Sequence, residues 1–348
     1  MKKWMALLLA LTLVFALGAC SAKAPNADDA PAASEEPAAS AEPEASETAE
    51  EPVKLNVYML AGPTGMGAVN MMAANDAGEL AQEYEFTVAS APDEVVGKIA
   101  NSEADIAAIS TNLAAKLYAK TEGGVTVLGV NTLGVLSMLE KEQTVSSVAD
   151  LAGKTIYTTG QGANPQYILE YLLRENGLDP ESDVTIVYKT ENTELATVFD
   201  SDPAAVIMAP QPVATSIVLN SGAVVSLDMT EEWEKVAEDS QLMMGCIVVR
   251  NEILEQYPQA VAAFMSDYAD SIEKANSDAE TTGALCETYG IVAKAALAQK
   301  ALPNCNIVWV TADQMKTGLS GYLQVLFDAD PTSVGGSMPA DDFYYAAE

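Results

Sequence analysis

The first 52 residues confine any folded core to the rest of the chain. Two lysines precede a 13-residue apolar run from Met5 to Leu17, and small residues then lead to Cys20. This run is too short for a membrane-spanning helix and is typical of a cleaved export signal, here residues 1–19. We therefore predict a lipoprotein whose lipid is attached to the thiol of Cys20. The alternative is an ordinary secretory signal in which this cysteine is incidental.

The segment that follows the signal is acidic and poor in large apolar side chains. Residues 21–52 contain nine acidic residues and one lysine, Lys23, with much Ala, Pro and Ser. Such a segment buries too little apolar surface to offset the entropy of chain ordering. We predict that residues 20–52 form an extended, unfolded tether that holds the protein at the extracytoplasmic face of the cell membrane.

Charge and histidine content exclude several functional classes. The formal net charge of −33 at pH 7 disfavours nucleic acid and anionic lipid surfaces as partners, because both bind through basic patches. The chain has no histidine, which removes Ser-His-Asp and Cys-His catalysis and the common zinc sites. We expect neither an enzyme nor a metal or other cofactor.

Three cysteines remain beyond Cys20, and none has the CxxC spacing. In an exported chain, Cys286 and Cys305 either form a disulfide or stay as free thiols, and the sequence leaves both open. Cys246 lies inside the apolar run from Met243 to Val249, which predicts a buried free thiol.

Strand-like and helix-like segments alternate from residue 53 onwards, which is typical of an α/β fold with parallel-rich sheets. The alternation repeats independently between two strand-like segments, Thr132 to Glu140 and Leu242 to Arg250. About 296 residues are also too many for one typical core. We predict two lobes joined by two crossing strands, in which residues 136–242 are inserted into a lobe made of residues 53–135 and 243–348.

Four strand-to-helix loops have the character of a ligand site, since ligands of open α/β sheets bind beyond the carboxyl ends of the strands. Asn164 suits a helix N-cap and Pro165 the first helical position. None of the loops contains Lys or Arg, which favours a neutral ligand. The alternative for each loop is a tight turn without a ligand. The loops are residues 62–67, which contain three glycines, 110–112, 160–165 and 210–212.

Three stretches carry a family resemblance: the first strand with residues 62–67, residues 95–106, and residues 150–156 before the 160–164 loop. On these stretches the chain resembles the solute-binding lipoproteins of ABC importers, in the branch of nitrate, sulfonate, taurine and thiamine-pyrimidine-precursor binders. The resemblance implies a type 2 periplasmic-binding-protein fold. It further implies a monomer that captures a small solute between its lobes and delivers it to a membrane permease with a separate ATPase.

The resemblance also implies a set of ligand contacts. Hydroxyls, amides and methionines suit a small neutral solute, and a pyrimidine-like heterocycle is our first expectation. A small anion such as a sulfonate or nitrate, held by helix N-terminal amides, is the alternative. Met59 and Tyr167 are further candidates, and Met243 and Met244 either line the cleft or belong to the core. The expected contacts are Tyr58, Thr64, Gly65, Met66, Ser110, Thr111, Gln161, Asn164 and Gln211.

Two roles of other classes stay open at this point. A sensory lipoprotein could use the same clamp without transport. A pyrimidine-synthesis enzyme, known among relatives of this branch, needs an active-site histidine that this chain lacks.

Overall fold

The computed structural model of the protein describes residues 53–237 and 240–346. The predicted signal and tether, with the lipidation expected at Cys20, lie outside the described residues. Within the described ranges, strands and helices alternate and the strands form two separate mixed sheets flanked by helices. The predicted α/β fold is confirmed. No helix in these ranges is both long and apolar enough to cross a membrane.

Eleven strands are present in the described ranges. In chain order they are β1 (Lys54–Leu60), β2 (Glu83–Ala89), β3 (Ile106–Ser110), β4 (Val125–Thr132), β5 (Leu136–Glu140), β6 (Thr155–Thr158), β7 (Thr185–Tyr188), β8 (Val206–Pro210), β9 (Val224–Asp228), β10 (Gly245–Arg250) and β11 (Ile307–Val310).

The same ranges contain fourteen α-helices. They are α1 (Pro63–Met66), α2 (Val69–Asp76), α3 (Pro92–Ala100), α4 (Thr111–Lys120), α5 (Asn164–Glu175), α6 (Asn192–Leu195), α7 (Val198–Ser201), α8 (Val213–Ser221), α9 (Met229–Glu234), α10 (Asn251–Gln256), α11 (Pro258–Ser277), α12 (Ala279–Thr288), α13 (Ala295–Ala301) and α14 (Ala312–Ala329).

The first sheet has the strand order β11-β4-β10-β3-β1-β2. Strands β2, β1 and β3 run parallel, whereas β10 is antiparallel to β3 and β4. All eight residues of β4 are buried, as expected for an apolar strand covered on both faces. Leu55, Val57 and Met59 of β1 alternate into the core beneath α2 and α11. Alternation of apolar residues therefore fixes which face of β1 each helix covers.

The second sheet has the strand order β7-β6-β8-β5-β9. Strand β6 is parallel to β7 and β8, and β5 is antiparallel to β8 and β9. Leu169 and Leu172 of α5 cover one face of the sheet over Ile156. Ile217 of α8 covers the other face over Ile207. Each face of this sheet therefore has its own helical layer.

The chain crosses from the first sheet to the second between Thr132 and Leu136, and it returns before Gly245. Beside these crossings, Val130 of β4 and Met138 of β5 belong to one core cluster, which also includes buried side chains of α14. The two sheets thus share buried apolar surface through this helix. The lobe boundaries at residues 135/136 and 242/243 stay predictions.

Trp233 is the largest fully buried side chain of this shared region. Its ring centroid lies 4.9 Å from that of Tyr171 on α5 and 5.5 Å from that of Tyr322 on α14. Aromatic pairs at such distances add to the energy of area burial. Trp233 is therefore a packing residue that connects α9, α5 and α14.

Cys246, Cys286 and Cys305 are free, buried thiols. The Cys286–Cys305 disulfide that the sequence left open is therefore absent from the structure. The thiol of Cys305 instead donates to the carbonyl of Ala301 at 3.2 Å and lies 3.7 Å from the sulfur of Met66. Burial raises the pKa of Cys286 and Cys305 to about 12, which keeps both thiols protonated at neutral pH.

Candidate functional site

Turns at the carboxyl ends of strands in the two sheets meet in the structure. The turn between β3 and α4 belongs to the first sheet, and the turn between β6 and α5 belongs to the second. Hydrogen bonds connect the two turns directly. We call this contact the seam, and it consists of Thr111, Asn112, Lys116, Gly162, Asn164 and Met244.

Asn164 makes the strongest connection across the seam. The sequence predicted it as the N-cap of α5, but Ala163 is the N-cap and Asn164 is the first helical residue. Its Nδ2 group donates to the carbonyl of Met244 at 2.8 Å and to Thr111 Oγ1 at 3.3 Å. The capping role is wrong because Ala163 holds the N-cap position, and Asn164 Oδ1, the atom that would accept from a helix N–H, has no partner among the described residues.

The orientation of the Asn164 amide leaves a free acceptor. Both neighbours of Nδ2 can only accept, because the Thr111 hydroxyl already donates to the carbonyl of Met243 at 2.5 Å. Asn164 Oδ1 is buried and has no hydrogen-bond partner. A buried, unpaired acceptor costs about 1–3 kcal/mol. An N–H donor of a solute would satisfy it.

Thr111 is fully occupied by the protein itself. Its side chain is completely buried and donates to Met243, while its backbone N–H donates to the carbonyl of Met244 at 3.1 Å. These bonds hold the chain where it returns from the second sheet. In this structure Thr111 therefore positions the returning segment and has no free donor for a solute.

Lys116 is a member of the seam that the sequence analysis missed. Its Nζ donates to the carbonyl of Gly162 at 2.9 Å and to the hydroxyl of Tyr167 at 3.1 Å. The ammonium also lies 5.0 Å from the centroid of the Tyr167 ring, within reach of a cation–π interaction. Lys116 lies in the second turn of α4, outside the loops, so only helical periodicity combined with the sheet order could have found it.

Thr64 and Gly65 lie in α1, a single helical turn inside the segment predicted as a glycine loop. The carbonyl of Thr64 accepts from Asn131 Nδ2 at 3.0 Å, and its half-buried hydroxyl has no partner among the described residues. A Cβ on Gly65 would lie 2.2 Å from the carbonyl oxygen of Leu60. Thr64 therefore keeps a free hydroxyl, and Gly65 is required by the close approach of β1.

Three side chains expected to be apolar walls lie elsewhere. Met59 and Met66 are fully buried in the core beneath α2 and α11, so neither exposes a wall to solvent. Tyr58 is half-buried in the middle of β1 and packs on the core of the opposite face. Met243 and Met244 are buried as well, and a Cβ on Gly318 of α14 would meet the methyl group of Met243. They belong to the core.

Two polar candidates lie on the loops themselves. Ser110 is half-buried at the N-cap of α4, and its Oγ donates to Asn112 Oδ1 at 3.3 Å. Gln161 is exposed and has no partner among the described residues. Both side chains are available to a solute, and their contact with one stays a prediction.

Gln211 lies at a cavity of about 460 Å³ that we call the flank cavity. Its Oε1 accepts from the backbone N–H and the hydroxyl of Thr215 at 3.3 and 2.7 Å, which leaves the Nε2 group without a protein partner. The cavity is lined from both sheets: β5, α8 and β9 of the second sheet face α13 and the residues just before β11 of the first. Its lining comprises residues 134–137, 211, 214, 215, 218, 219, 225, 228, 300, 303, 304 and 306.

Two other cavities lie beside one sheet each. The larger, about 760 Å³, borders the edge strand β2 and includes Asn75, Tyr84 and Tyr289. The smaller, about 350 Å³, borders the edge strand β7 and includes Arg174 and Tyr188. Although the β2 cavity is the largest of the three, the flank cavity alone among them is lined from both sheets.

Two titratable groups near the site have raised pKa values. Burial raises the pKa of Tyr268, whose hydroxyl lies 2.8 Å from the Nδ2 donor of Asn131. Burial raises the pKa of the Cys246 thiol as well. Both groups therefore stay protonated at neutral pH. Within residues 53–237 and 240–346, no group of three or more Cys, Asp or Glu side chains could hold a metal ion.

Comparisons with known proteins agree with this architecture. Residues 85–281, more than half of the chain, match a family model described as NMT1/THI5 like. Comparison with curated protein sequences gives no match.

Solved structures share the fold. The structure of an ABC transporter from Parabacteroides distasonis superposes with a TM-score of 0.71 at 20% identity, covering 86% of this chain and 100% of that chain. The periplasmic aliphatic sulphonate binding protein of Escherichia coli gives 0.68 at 14% identity, covering 86% and 94%. The periplasmic nitrate-binding protein of Synechocystis PCC 6803 gives 0.53 at 14% identity, covering 69% and 67%.

At these identities the structural matches establish the fold alone. The two-sheet α/β architecture is that of the type 2 periplasmic binding proteins, as the resemblance implied. Because the family model spans more than half of the sequence, the chain belongs to the NMT1/THI5-like family.

Proposed function

We propose that the protein is the extracytoplasmic solute-binding subunit of an ABC importer. In this role it is anchored through lipid on Cys20, captures a small solute between its two sheets and delivers it to a permease driven by a separate ATPase. The observation that carries the proposal is the seam, where turns of two different sheets meet beside a free, buried acceptor on Asn164. The proteins of like fold from E. coli and Synechocystis are named as binders of sulphonate and nitrate.

The mechanism follows from contacts that need both sheets at once. The bonds from Asn164 to Met244 and from Lys116 to Gly162 exist only while the two turns are close. A solute that touches both turns binds the closed arrangement more tightly than an open one, so it shifts the population towards closure. Bending at the crossings near residues 133–135 and 242–244 would open the cleft.

A small, overall neutral solute fits the free groups best, and a pyrimidine-like heterocycle is our first candidate. The Asn164 acceptor requires an N–H donor, and the Thr64 hydroxyl can donate to or accept from the solute. A ring that presents N–H and C=O groups side by side supplies both partners. Gln161 and Ser110 add further amide and hydroxyl groups at the same turns.

Lys116 supports a small anion as the second candidate. It has no carboxylate partner among the described residues, and it lies at the turn that begins α5. The first amides of a helix attract negative charge, and a nearby ammonium adds to that attraction. A sulfonate or nitrate would use these two features and leave Asn164 Oδ1 unsatisfied.

The test is a thermal-shift screen of the full-length protein against pyrimidines, other heterocycles, sulfonates and nitrate, followed by calorimetry. A solute at about 100 times its dissociation constant adds about 2.7 kcal/mol to the free energy of unfolding. We expect a neutral heterocycle to bind, and Thr64→Val to weaken it about tenfold because one hydrogen bond is lost. Thr317→Val, on the exposed face of α14, is the matched control and leaves binding unchanged.

Two outcomes decide between the candidates. If only sulfonate or nitrate binds, and Lys116→Met abolishes this binding, the solute is a small anion and not a heterocycle. Absence of any shift, in protein refolded free of co-purified small molecules, would contradict the solute-binding role.

A further inference from the structure

The flank cavity has the size and construction of a small-molecule site. Its volume of about 460 Å³ falls within the range of ligand pockets, roughly 300–1,000 Å³. Movement of the second sheet relative to α13 would change this cavity, because α13 and residues 303–306 form the wall opposite β5 and β9. Of the residues expected from the sequence to bind a solute, Gln211 lines it.

The wall offers three polar groups that have no partner among the described residues. Gln211 and Ser137 are 7% and 8% exposed, and neither the Gln211 Nε2 group nor the Ser137 hydroxyl has a protein partner. Lys300 on α13 lines the same cavity from the first sheet and forms no ion pair among the described residues. An amide N–H and an ammonium suit a carboxylate, whereas the Ser137 hydroxyl lies on β5 directly opposite Asp228 of β9.

The wall also carries one acidic side chain. Asp228 Oδ1 accepts from the backbone N–H of Thr230 at 2.8 Å and so caps α9, while Asp228 Oδ2 has no partner among the described residues. Asp228 and Lys300 line the same cavity without pairing with each other or with another charged residue of the described chain. The cavity therefore presents two separate, opposite charges to an occupant.

Large apolar side chains complete the wall. Leu219 and Val225 are 51% and 49% exposed, and Val218 lies beside them. Within the described ranges the exposed large hydrophobic residues are Leu219, Val224 and Val225, so two of the three line this cavity. Contact with an aliphatic group would remove this surface from water.

We infer that the flank cavity binds a small zwitterion, an α-amino acid with an aliphatic side chain. Its carboxylate lies against Lys300 and Gln211, its ammonium faces Asp228 and the Ser137 hydroxyl oxygen, and its side chain packs on Val218, Leu219 and Val225. Such a solute is neutral overall, but it occupies a cavity separate from the seam, so the inference goes beyond the proposed function.

Calorimetry on the full-length protein tests the inference with three probes that differ by one charge. L-leucine carries both charges, 4-methylpentanoate lacks the ammonium, and leucinamide lacks the carboxylate. We expect leucine to bind and each analogue to bind about tenfold or more weakly, because a charge-assisted hydrogen bond is lost. Lys300→Met should lower the affinity for leucine about tenfold and leave the affinity for leucinamide unchanged.

Asp228→Asn is the complementary variant. Asparagine preserves the cap of α9 and removes the charge, so leucine should bind about tenfold more weakly while 4-methylpentanoate is unaffected. Lys294→Met is the matched control, because Lys294 is exposed at the start of the same helix and does not line the cavity. It should leave all three affinities unchanged.

The inference is overturned if leucine does not bind, or if it binds equally well to Lys300→Met and Asp228→Asn. Binding of a heterocycle that depends on Thr64, with no binding of leucine, would overturn the inference and preserve the proposed function. If no solute binds, zwitterions included, both this inference and the proposed function are overturned.

Discussion

At the residue scale, short polar side chains at helix starts serve the contact between sheets more than the helices themselves. Asn164 and Thr111 both begin helices, yet their side chains donate to the carbonyls of Met244 and Met243, which lie just before β10 of the first sheet. A sequence pattern identifies such residues as caps because it sees only the local chain. Their acceptors are backbone carbonyls of residues about 80 and 132 positions away in the sequence.

Asn164→Asp tests this assignment with almost no change in shape. The new carboxylate oxygen replaces the Nδ2 donor and faces two acceptors, so we expect the free energy of unfolding to fall by about 1–3 kcal/mol. Urea unfolding followed by circular dichroism measures the change. Asn220→Asp is the control, since Asn220 is exposed and donates only to Ser216 Oγ. Equal stability of Asn164→Asp and the wild type would contradict the observed amide orientation.

Gly65→Ala tests whether this glycine serves packing. Its Cβ would lie 2.2 Å from a backbone oxygen, so β1 or α1 must shift, and we expect a loss of about 1–3 kcal/mol in thermal or urea unfolding. Gly97 in α3 has open space around its Cβ position. Gly97→Ala should therefore be neutral or stabilise the protein by up to about 1 kcal/mol. An equal change in the free energy of unfolding for Gly65→Ala and Gly97→Ala would show that helix propensity, and not the close contact at Gly65, determines the effect.

At the scale of elements, the order of strands and helices was predictable but their interruptions were not. The apolar segments at residues 53–60, 154–158 and 204–208 predict strands, and β1, β6 and β8 lie within two residues of these bounds. The amphipathic pattern of residues 253–275 predicts one long helix, but the structure has two, because Pro258 begins α11 and Tyr257 leaves helical geometry. The loop expected at residues 62–67 contains α1, since Pro63 suits a first helical position.

The candidate site was less predictable than the fold because it depends on partners distant in sequence. The loops were found from glycine, proline and short polar residues, which act locally. Lys116 and Lys300 contribute their charges from within α4 and α13, and no loop motif marks them. The four loops contain no Lys or Arg. The fold nevertheless places Lys116 beside Gly162 and Lys300 in the cavity that Gln211 lines.

Lys116→Met tests the contribution of α4 to closure. The substitution keeps much of the aliphatic chain and removes the bonds to Gly162 and Tyr167. We expect the affinity for the solute to fall roughly three- to tenfold, because the closed state loses about one hydrogen bond to a charged group. Lys120→Met, exposed at the end of the same helix, is the control. Equal affinities for both variants would remove Lys116 from the closing contacts.

At the scale of the whole molecule, a shared core and two crossing segments join the sheets. Trp233, Tyr171 and Tyr322 bury their rings where α9, α5 and α14 meet. Opening of the cleft must therefore preserve this cluster or slide α14 along α5. The sequence could identify the aromatic residues but not which helices they would connect.

Global stability should fall in alkaline solution because the thiols are buried. The folded-state pKa of Cys286 and Cys305 is about 12, above the ordinary value of 9.0. Below pH 9 both states keep the proton. Between pH 9 and 12 only the unfolded chain loses it, so each thiol lowers the free energy of unfolding by up to about 1.4 kcal/mol per pH unit.

Urea unfolding between pH 8 and 10 measures this slope. The slope should be shallower in Cys305→Ala than in the wild type, because one buried thiol is absent. Identical slopes would mean that Cys305 does not carry the raised pKa. Ellman's reagent on the unfolded protein supplies a check, since it should titrate Cys246, Cys286 and Cys305 as free thiols without prior reduction.

The central claim, capture of a solute by closure of two sheets, is tested most directly by a distance measured in solution. Fluorophores on cysteines introduced at Lys120 and Glu181 report on the first and second sheet, and the buried native thiols should resist labelling. We predict that energy transfer rises saturably with the solute found in the screen, at the concentration that calorimetry gives for half-saturation. A solute that binds without changing the transfer efficiency would contradict the account.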